Sequence, residues 1–406
     1  MREKIGLVLT AGGARGAYQA GVLKRLGEIK ALRGSTSPFA IVTGASVGAI
    51  NSVMIAAGSD DFNTTTVTLA NLWSNLRTSN VFRTDLRSLG LGATRWIRDL
   101  SFGGIIGGGR AQSLLNASPL QKMLTDQVPW SGIGANIRRG NLYALGIATT
   151  SYFSGKSVTF VQGQPGHPMW QKHRKVSVAT DIAVAHVSAS CAIPVLFSPV
   201  PIVTPQGRFF FGDGGLRLVA PCSSAIRLGS QRLLAIGIRS QKAAEARLNA
   251  EMMHAAPDGG SAAMKEPPMA QVLGILLNAI FLDHLDTDLE HLERMNNLLK
   301  GFGTTAEDDA PMKDLTESIR PIQAGAIYPS TDLALVAHDY RNRMPTALRY
   351  LMEGLGDSKA QSADLMSYLL FDKGYTKTLV DIGYQDAHRD IDRLAALILD
   401  DKASPA

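Results

Sequence analysis

The 406-residue chain has two cysteines, Cys191 and Cys222, too few for a disulfide framework or a thiolate metal site. Cys191 lies in an apolar stretch and Cys222 follows Pro221, so both read as small buried hydrophobes. No run of 18 uninterrupted apolar residues occurs, so no transmembrane helix is expected. The start, Met1 to Thr10, has too short an apolar run for a signal peptide and reads directly into a strand. No run of five basic residues appears, nor basic residues interleaved with aromatics, which sets nucleic acid aside as a partner. These absences point to a cytoplasmic protein that meets any membrane peripherally, from the water side.

What is present is ordinary globular composition, 45% hydrophobic and 19% charged, enough for a sizeable core in one large domain or two modest ones. The net charge of +6 and a pI of about 9.3 fit either a scattered surplus of Lys and Arg or an anionic partner such as acidic lipid headgroups.

Ile5–Thr10 reads as a buried strand, broken by Ala11–Gly16 and followed by a helical pattern to about Leu32. Phe39–Thr43 is a second strand, ended by Gly44–Gly48, with a helix from Ala49 to Ala57. This rhythm predicts an α/β domain with a parallel sheet. Residues 60–100 read as helical with Arg-rich surfaces, and Gly103–Gly109 as a loop without the Lys-Ser/Thr of a phosphate loop. Asn141–Thr150 and Lys156–Gln162 predict a hairpin, Asp181–Ser190 a helix, and Arg208–Phe211 and Arg232–Arg239 strands. Gln241–Met269 reads as a mobile surface segment. Beyond it, Gln271–Lys300 predicts a long helix whose stripe, from Val272 and Leu276 through Leu285, Leu289 and Leu292, has core-like spacing. Further helices are expected over Thr346–Leu355, Gln361–Leu370 and after Asp386.

Three features carry chemistry. Gly44-Ala-Ser46-Val-Gly48 lies between strand and helix, where a sharp turn lifts a serine Oγ above a sheet. A glycine-rich turn with Ser46 capping the helix would leave the same trace. Gly12-Gly13-Ala14-Arg15-Gly16 follows the first strand and gathers backbone N–H groups at one spot, suited to an oxyanion or a phosphate. It does not fit the dinucleotide fingerprint. Gly212-Asp213-Gly214-Gly215 places a carboxylate at a strand end, suited either to a base or to a tight Asp-Gly turn. A Ser-His-Asp hydrolase fits poorly, because only one strand precedes the strand that leads into Ser46. None of His167, His173, His186, His254, His284 or His291 sits where a triad histidine belongs. A serine–aspartate dyad is favoured.

Taken in order, these motifs resemble those of the patatin-like phospholipases, lipid acyl hydrolases with a Ser-Asp dyad. Ser188-Ala-Ser-Cys-Ala-Ile-Pro194 resembles the family's Ala-Ser-x-x-x-Pro segment, and Pro221 with its following strand also matches. Coverage is roughly residues 4–240. One departure is Thr10-Ala11-Gly12, where many members place a third glycine.

The resemblance implies a three-layer α/β/α fold with a mainly parallel sheet plus a helical C-terminal region. The divisions expected are 1–240 for the catalytic domain, 241–270 for a mobile segment and 271–406 for a helical extension packed on it. It implies Ser46 as nucleophile and Asp213 as base, and an oxyanion hole from Gly12 to Gly16, with the N–H groups of Gly13, Ala14 and Arg15 as donors. It also implies support from Gly44, Gly48, Gly214, Gly215 and Pro194. The substrate would be a phospholipid or other acyl ester, with no metal or cofactor required. A soluble-ester esterase or thioesterase and a catalytically silent lipid-binding member are the alternatives, and a homodimer is left open. Arg15 would steer a lipid phosphate or stand as a surface arginine at a helix start.

Overall fold

A computed structural model describes residues 3–83, 113–241, 284–303, 321–346 and 363–399, with 245, 272, 274–276 and 348–349 between them. The expectations for Gly103–Gly109 and His254, and nearly all of 241–270, lie outside the described residues. So do residues 84–100 and parts of the two helices expected over Thr346–Leu355 and Gln361–Leu370.

The chain begins with β1 (Ile5–Leu9), α1 (Gly16–Gly27), β2 (Phe39–Ala45), α2 (Val47–Ala57) and α3 (Phe62–Ser74). Helices α4 (Ser118–Gln127) and α5 (Trp130–Arg139) precede β3 (Ala144–Ser151), β4 (Ser157–Gly163), β5 (Lys175–Ala179) and α6 (Val184–Ser190). The hairpin β6 (Val200–Thr204) and β7 (Gly207–Gly212) leads to β8 (Arg232–Ile236). The C-terminal part supplies α7 (His284–Gly303), β9 (Gln323–Ile327), α8 (Ala363–Leu369), α9 (Lys373–Arg389) and α10 (Ile391–Leu399).

One sheet runs β5-β4-β3-β2-β1-β8-β9, with β7 joining the end of β3 and β6 pairing with β7. From β3 to β9 every neighbouring pair is parallel, while β4 turns back on β3. Both faces of the parallel part are covered, which its side-chain alternation records. Leu7, Leu9, Val42, Leu145 and Ile236 face the larger core with α1, α2 and α3. Val8, Ile41, Ala144, Leu233 and Ala235 face the smaller one, which Leu285 of α7 joins. This is the α/β/α arrangement expected.

The C-terminal region is not helical throughout. β9 pairs in parallel with β8 and extends the sheet, which the low side-chain content of Gln-Ala-Gly-Ala-Ile conceals in the sequence. β6 also went unforeseen, because Pro201 argues against a strand. It is tolerated because β6 pairs on one side only, with β7. On α7, Leu285 is buried and Leu289 and Leu292 pack partly against the core. Val272 and Leu276 are exposed, against the stripe's core reading.

α1 is buried on nearly all sides, and α9 lies across it at backbone contact. A Cβ on Gly21 would stand 2.0 Å from the Val380 carbonyl oxygen, and one on Gly383 would stand 2.1 Å from that of Tyr18. Only glycine permits so close a crossing at both points. Asp372 caps α9 by accepting from the N–H groups of Gly374 and Tyr375.

Candidate active site

The carboxyl ends of β1, β2 and β3 lie side by side, the place where open α/β sheets bind ligands. Ser46 directly follows β2 with φ 53° and ψ −124°, a left-handed conformation for a residue with a side chain. The flanking glycines make the turn possible. A Cβ on Gly44 would lie 2.3 Å from the Gly48 carbonyl oxygen, and one on Gly48 2.1 Å from that of Leu9. The turn is the strained strand-to-helix elbow that the sequence pattern predicts.

The Ser188–Pro194 segment pins this elbow. The Ser46 N–H donates to Ser190 Oγ at 2.8 Å, and the Ser190 hydroxyl donates to the Ala148 carbonyl at 2.6 Å. The Cys191 thiol donates to the Ser46 carbonyl at 3.2 Å. One residue on, the Ala192 carbonyl accepts from the Asp213 N–H at 2.9 Å. A single short segment thus fixes the backbones of both predicted dyad residues. Pro194 precedes Val195, which takes φ 69° and whose carbonyl accepts from the Leu114 N–H. Ser190 is the residue that sequence reasoning did not single out, and its signal was its place inside the Ala-Ser-x-x-x-Pro run.

Asp213 follows β7 and is fully buried. The Thr150 hydroxyl at the end of β3 donates to its carbonyl at 2.8 Å. Its Oδ1 accepts from the Gly215 N–H at 2.8 Å, and Gly214 lets the turn pass beside β3, since a Cβ there would lie 2.2 Å from the Ala148 carbonyl oxygen. Oδ2 is buried without a hydrogen bond of ordinary length, and the Ser46 hydroxyl faces the carboxylate closely enough to favour its charged form. Burial outweighs that stabilisation and the Gly215 N–H, and lifts the Asp213 pKa from 3.8 to about 7. A carboxylate so placed is a competent base near neutral pH.

The glycine-rich loop requires a correction. The Arg15 N–H turns back to the Gly12 carbonyl and the Gly16 N–H to those of Ala14 and Gly13. The amides of Gly13 and Ala14, two of the three expected donors, donate to no group among the described residues, and Gly13 lines the same cavity as Ser46; the Arg15 amide alone is taken up within the loop. Arg15 neither steers a phosphate from the surface nor stands exposed, because its side chain is 3% exposed. Its Nε donates to Ser367 Oγ at 2.8 Å, its Nη2 pairs with Asp364 at 3.0 Å, and its guanidinium stacks 4.5 Å from the centre of the Tyr368 ring. Burial alone would lower its pKa, but Tyr368, Asp364, Tyr375 and Asp332 together raise it by more.

This clamp brings α8 onto the loop. Gly13 has φ 57°, and a Cβ there would lie 2.2 Å from the Tyr368 carbonyl oxygen. An apolar cavity beside Ser46 is walled by Val47, Ile50, Phe197, Tyr368 and Phe371 and holds only about 40 Å³. That admits a few water molecules, not a long acyl chain. Across Cys191 and Phe197 lies a cleft of about 450 Å³, lined by Ser113, Asn116, Ser188 and Val200 without a charged side chain among its described lining residues. Ser188 Oγ is buried there without a hydrogen-bond partner.

No histidine hydrogen-bonds Ser46 or Asp213 among the described residues. His186 packs edge-on to Phe160 with its ring centre 4.6 Å away, as a core histidine. Both cysteines are buried and free, and burial pushes both thiols up, which leaves them unreactive. No metal-binding cluster of His, Cys, Asp or Glu occurs among the described residues, nor a helix long and apolar enough to cross a membrane.

Among solved structures, VipD from Legionella pneumophila is 13% identical, with 94% of this chain and 67% of that one covered, at a TM-score of 0.29. Human GIVD cytosolic phospholipase A2 with methyl gamma-linolenyl fluorophosphonate is 11% identical, covering 98% of this chain and 59% of that one, at a TM-score of 0.37. The Pseudomonas aeruginosa ExoU–SpcU complex is 16% identical, covering 97% and 77%, at 0.26. This chain therefore spans about three-fifths of the human enzyme's length and about two-thirds of VipD's. Among curated proteins none matches the chain. Residues 7–226 match the family described as patatin-like phospholipase, more than half of the chain, and the protein belongs to that family.

Proposed function

We propose that this protein is a serine lipid acyl hydrolase in which Ser46 is the nucleophile and Asp213 its base. The observation that carries the reading is the strained Ser46 elbow facing a fully buried carboxylate whose pKa is lifted to about 7, beside the free amides of Gly13 and Ala14. Asp213 takes the Ser46 Oγ proton as that oxygen attacks the ester carbonyl. The oxyanion forms against the two amides, each worth roughly 3–4 kcal/mol if it acts like donors in other such holes. Collapse of the intermediate expels the alcohol, which receives the proton from Asp213 and leaves an acyl group on Ser46. Water then repeats the sequence with Asp213 again as base, releasing the acid.

Family membership supports lipid hydrolysis as the class of reaction, and phospholipid is the substrate proposed within it. The narrow cavity favours a second reading, a short-chain soluble ester, unless the wall of Tyr368 and Phe371 moves aside. Rates on micellar phospholipid and on a soluble nitrophenyl ester separate the two. A fluorophosphonate probe should label the wild type and leave Ser46→Ala unlabelled. Labelling of the alanine variant at another residue would overturn the assignment.

A further inference from the structure

At the edge of the sheet nearest the dyad, apolar side chains stand in water. β7 delivers Asp213 at one end, and its other end, with β6 and the turn between β3 and β4, projects outward. Phe153 at the turn is 81% exposed, Val203 on β6 77% and Phe210 on β7 51%. The register separates them onto both faces of the hairpin. Val203 pairs with Arg208 and Pro201 with Phe210 on one face, while Phe153 stacks on Phe209 of the other with ring centres 5.2 Å apart. Exposed apolar side chains on both sides of the edge hairpin give it the form of a wedge.

Along the stretch of chain that builds this wedge, the charge is almost all of one sign. No acidic residue occurs between Asp126 and Asp181, and between Asp181 and Glu245 the only one is the buried Asp213. Arg208, Arg217, Lys156 and Arg174 stand around the same turns, and none of them forms an ion pair among the described residues. Resting on the hydrolase reading above, we infer that this hairpin and turn are the surface by which the protein docks on an anionic lipid bilayer. Phe153, Phe210 and Val203 enter the interface while Arg208 and Arg217 meet the headgroups. The cleft of about 450 Å³ opens at the base of the same hairpin, where Pro199–Pro201 line it. Docking there sets this cleft, which shares Leu120, Cys191 and Phe197 with the cavity beside Ser46, against the lipid.

The test is sedimentation with phosphatidylcholine vesicles, with and without phosphatidylserine, in a Ser46→Ala background so that no lipid is consumed. Phe153→Ser with Phe210→Ser, and separately Arg208→Gln with Arg217→Gln, should each weaken binding to the anionic vesicles on the order of tenfold or more. Added salt should weaken binding of the parent protein. With Ser46 restored, both pairs should turn over a soluble nitrophenyl ester at the parent rate and melt at the parent temperature. Unchanged vesicle binding by both pairs would overturn the docking surface even if hydrolysis stands. So would salt-insensitive binding, or wild-type dimers that the Phe pair dissolves while vesicle binding persists. Hairpin-dependent binding by a protein that hydrolyses no ester would instead uphold the surface and sink the hydrolase reading.

Discussion

At the scale of single residues, the site depends on holding one carboxylate where water would not leave it neutral. Asp213 has its pKa raised by burial to about 7, against 3.8 when free, so the folded chain binds its proton more tightly than the unfolded one. Two outcomes follow from the sign of that difference. First, kcat/KM for a soluble ester should climb with pH to a plateau, through a midpoint near 7, because the base must be ionised; a flat profile from pH 5 to 9 would exclude it as the base. Second, wild-type stability should fall as pH rises from about 4 through 7, since the ionised carboxylate is favoured in the unfolded chain. Asp213→Asn should abolish turnover and escape that loss, melting higher than wild type at pH 8, with about 4 kcal/mol as the ceiling. A variant with the same pH dependence of melting as wild type would remove Asp213 as its source. The hydroxyl of Ser190 shows why such a site is half-legible in a sequence. Ser46 and Asp213 announce themselves by glycines that only a tight turn requires, whereas Ser190 acts on the Ser46 backbone from 144 positions away, and no local pattern encodes that reach.

At the scale of elements, the glycine-rich loop and α8 behave as one unit. Arg15 is buried and its charge is met by Asp364, with Ser367 and the Tyr368 ring completing its surroundings. Breaking such a pair by removing one partner strands the other charge. Asp364→Ala should therefore cost about 2–4 kcal/mol and reduce ester turnover through the loop. Arg15→Met, which removes the buried charge and keeps much of the volume, should cost less. Thermal melts of the two variants side by side decide it, and equal losses would mean that packing, not charge, joins the elements. Sequence patterning reads Arg15 as one more basic residue at a helix start because its partners lie far along the chain. The strands β1 and β2 and their turns were legible for the opposite reason, since strand, glycine turn and helix are written within a few dozen consecutive residues. β6 and β9 were hidden because an edge position tolerates Pro201 in one and small side chains suffice in the other.

At the scale of the whole molecule, the C-terminal part completes the fold and cannot be treated as an appendage. β9 continues the sheet beyond β8, and α9 covers α1 at a crossing that glycine alone permits on both sides. Gly383→Ala would press a methyl group onto the Tyr18 carbonyl and should cost about 1–3 kcal/mol by denaturant titration. A chain ending before Lys373 would bare the apolar surface of α1 and should be recovered mainly as aggregate. Recovery of that truncated chain as a monomer with wild-type melting would refute the dependence.

The clamp between Arg15 and α8 also has a bearing on when the protein becomes active. A growing chain that has emerged as far as residue 240 already contains Ser46 and Asp213, yet the carboxylate that neutralises Arg15 and the helix that covers α1 are still to be translated. On the proposed reading, hydrolytic competence would therefore wait for residues 363–399, well after both members of the dyad have been made.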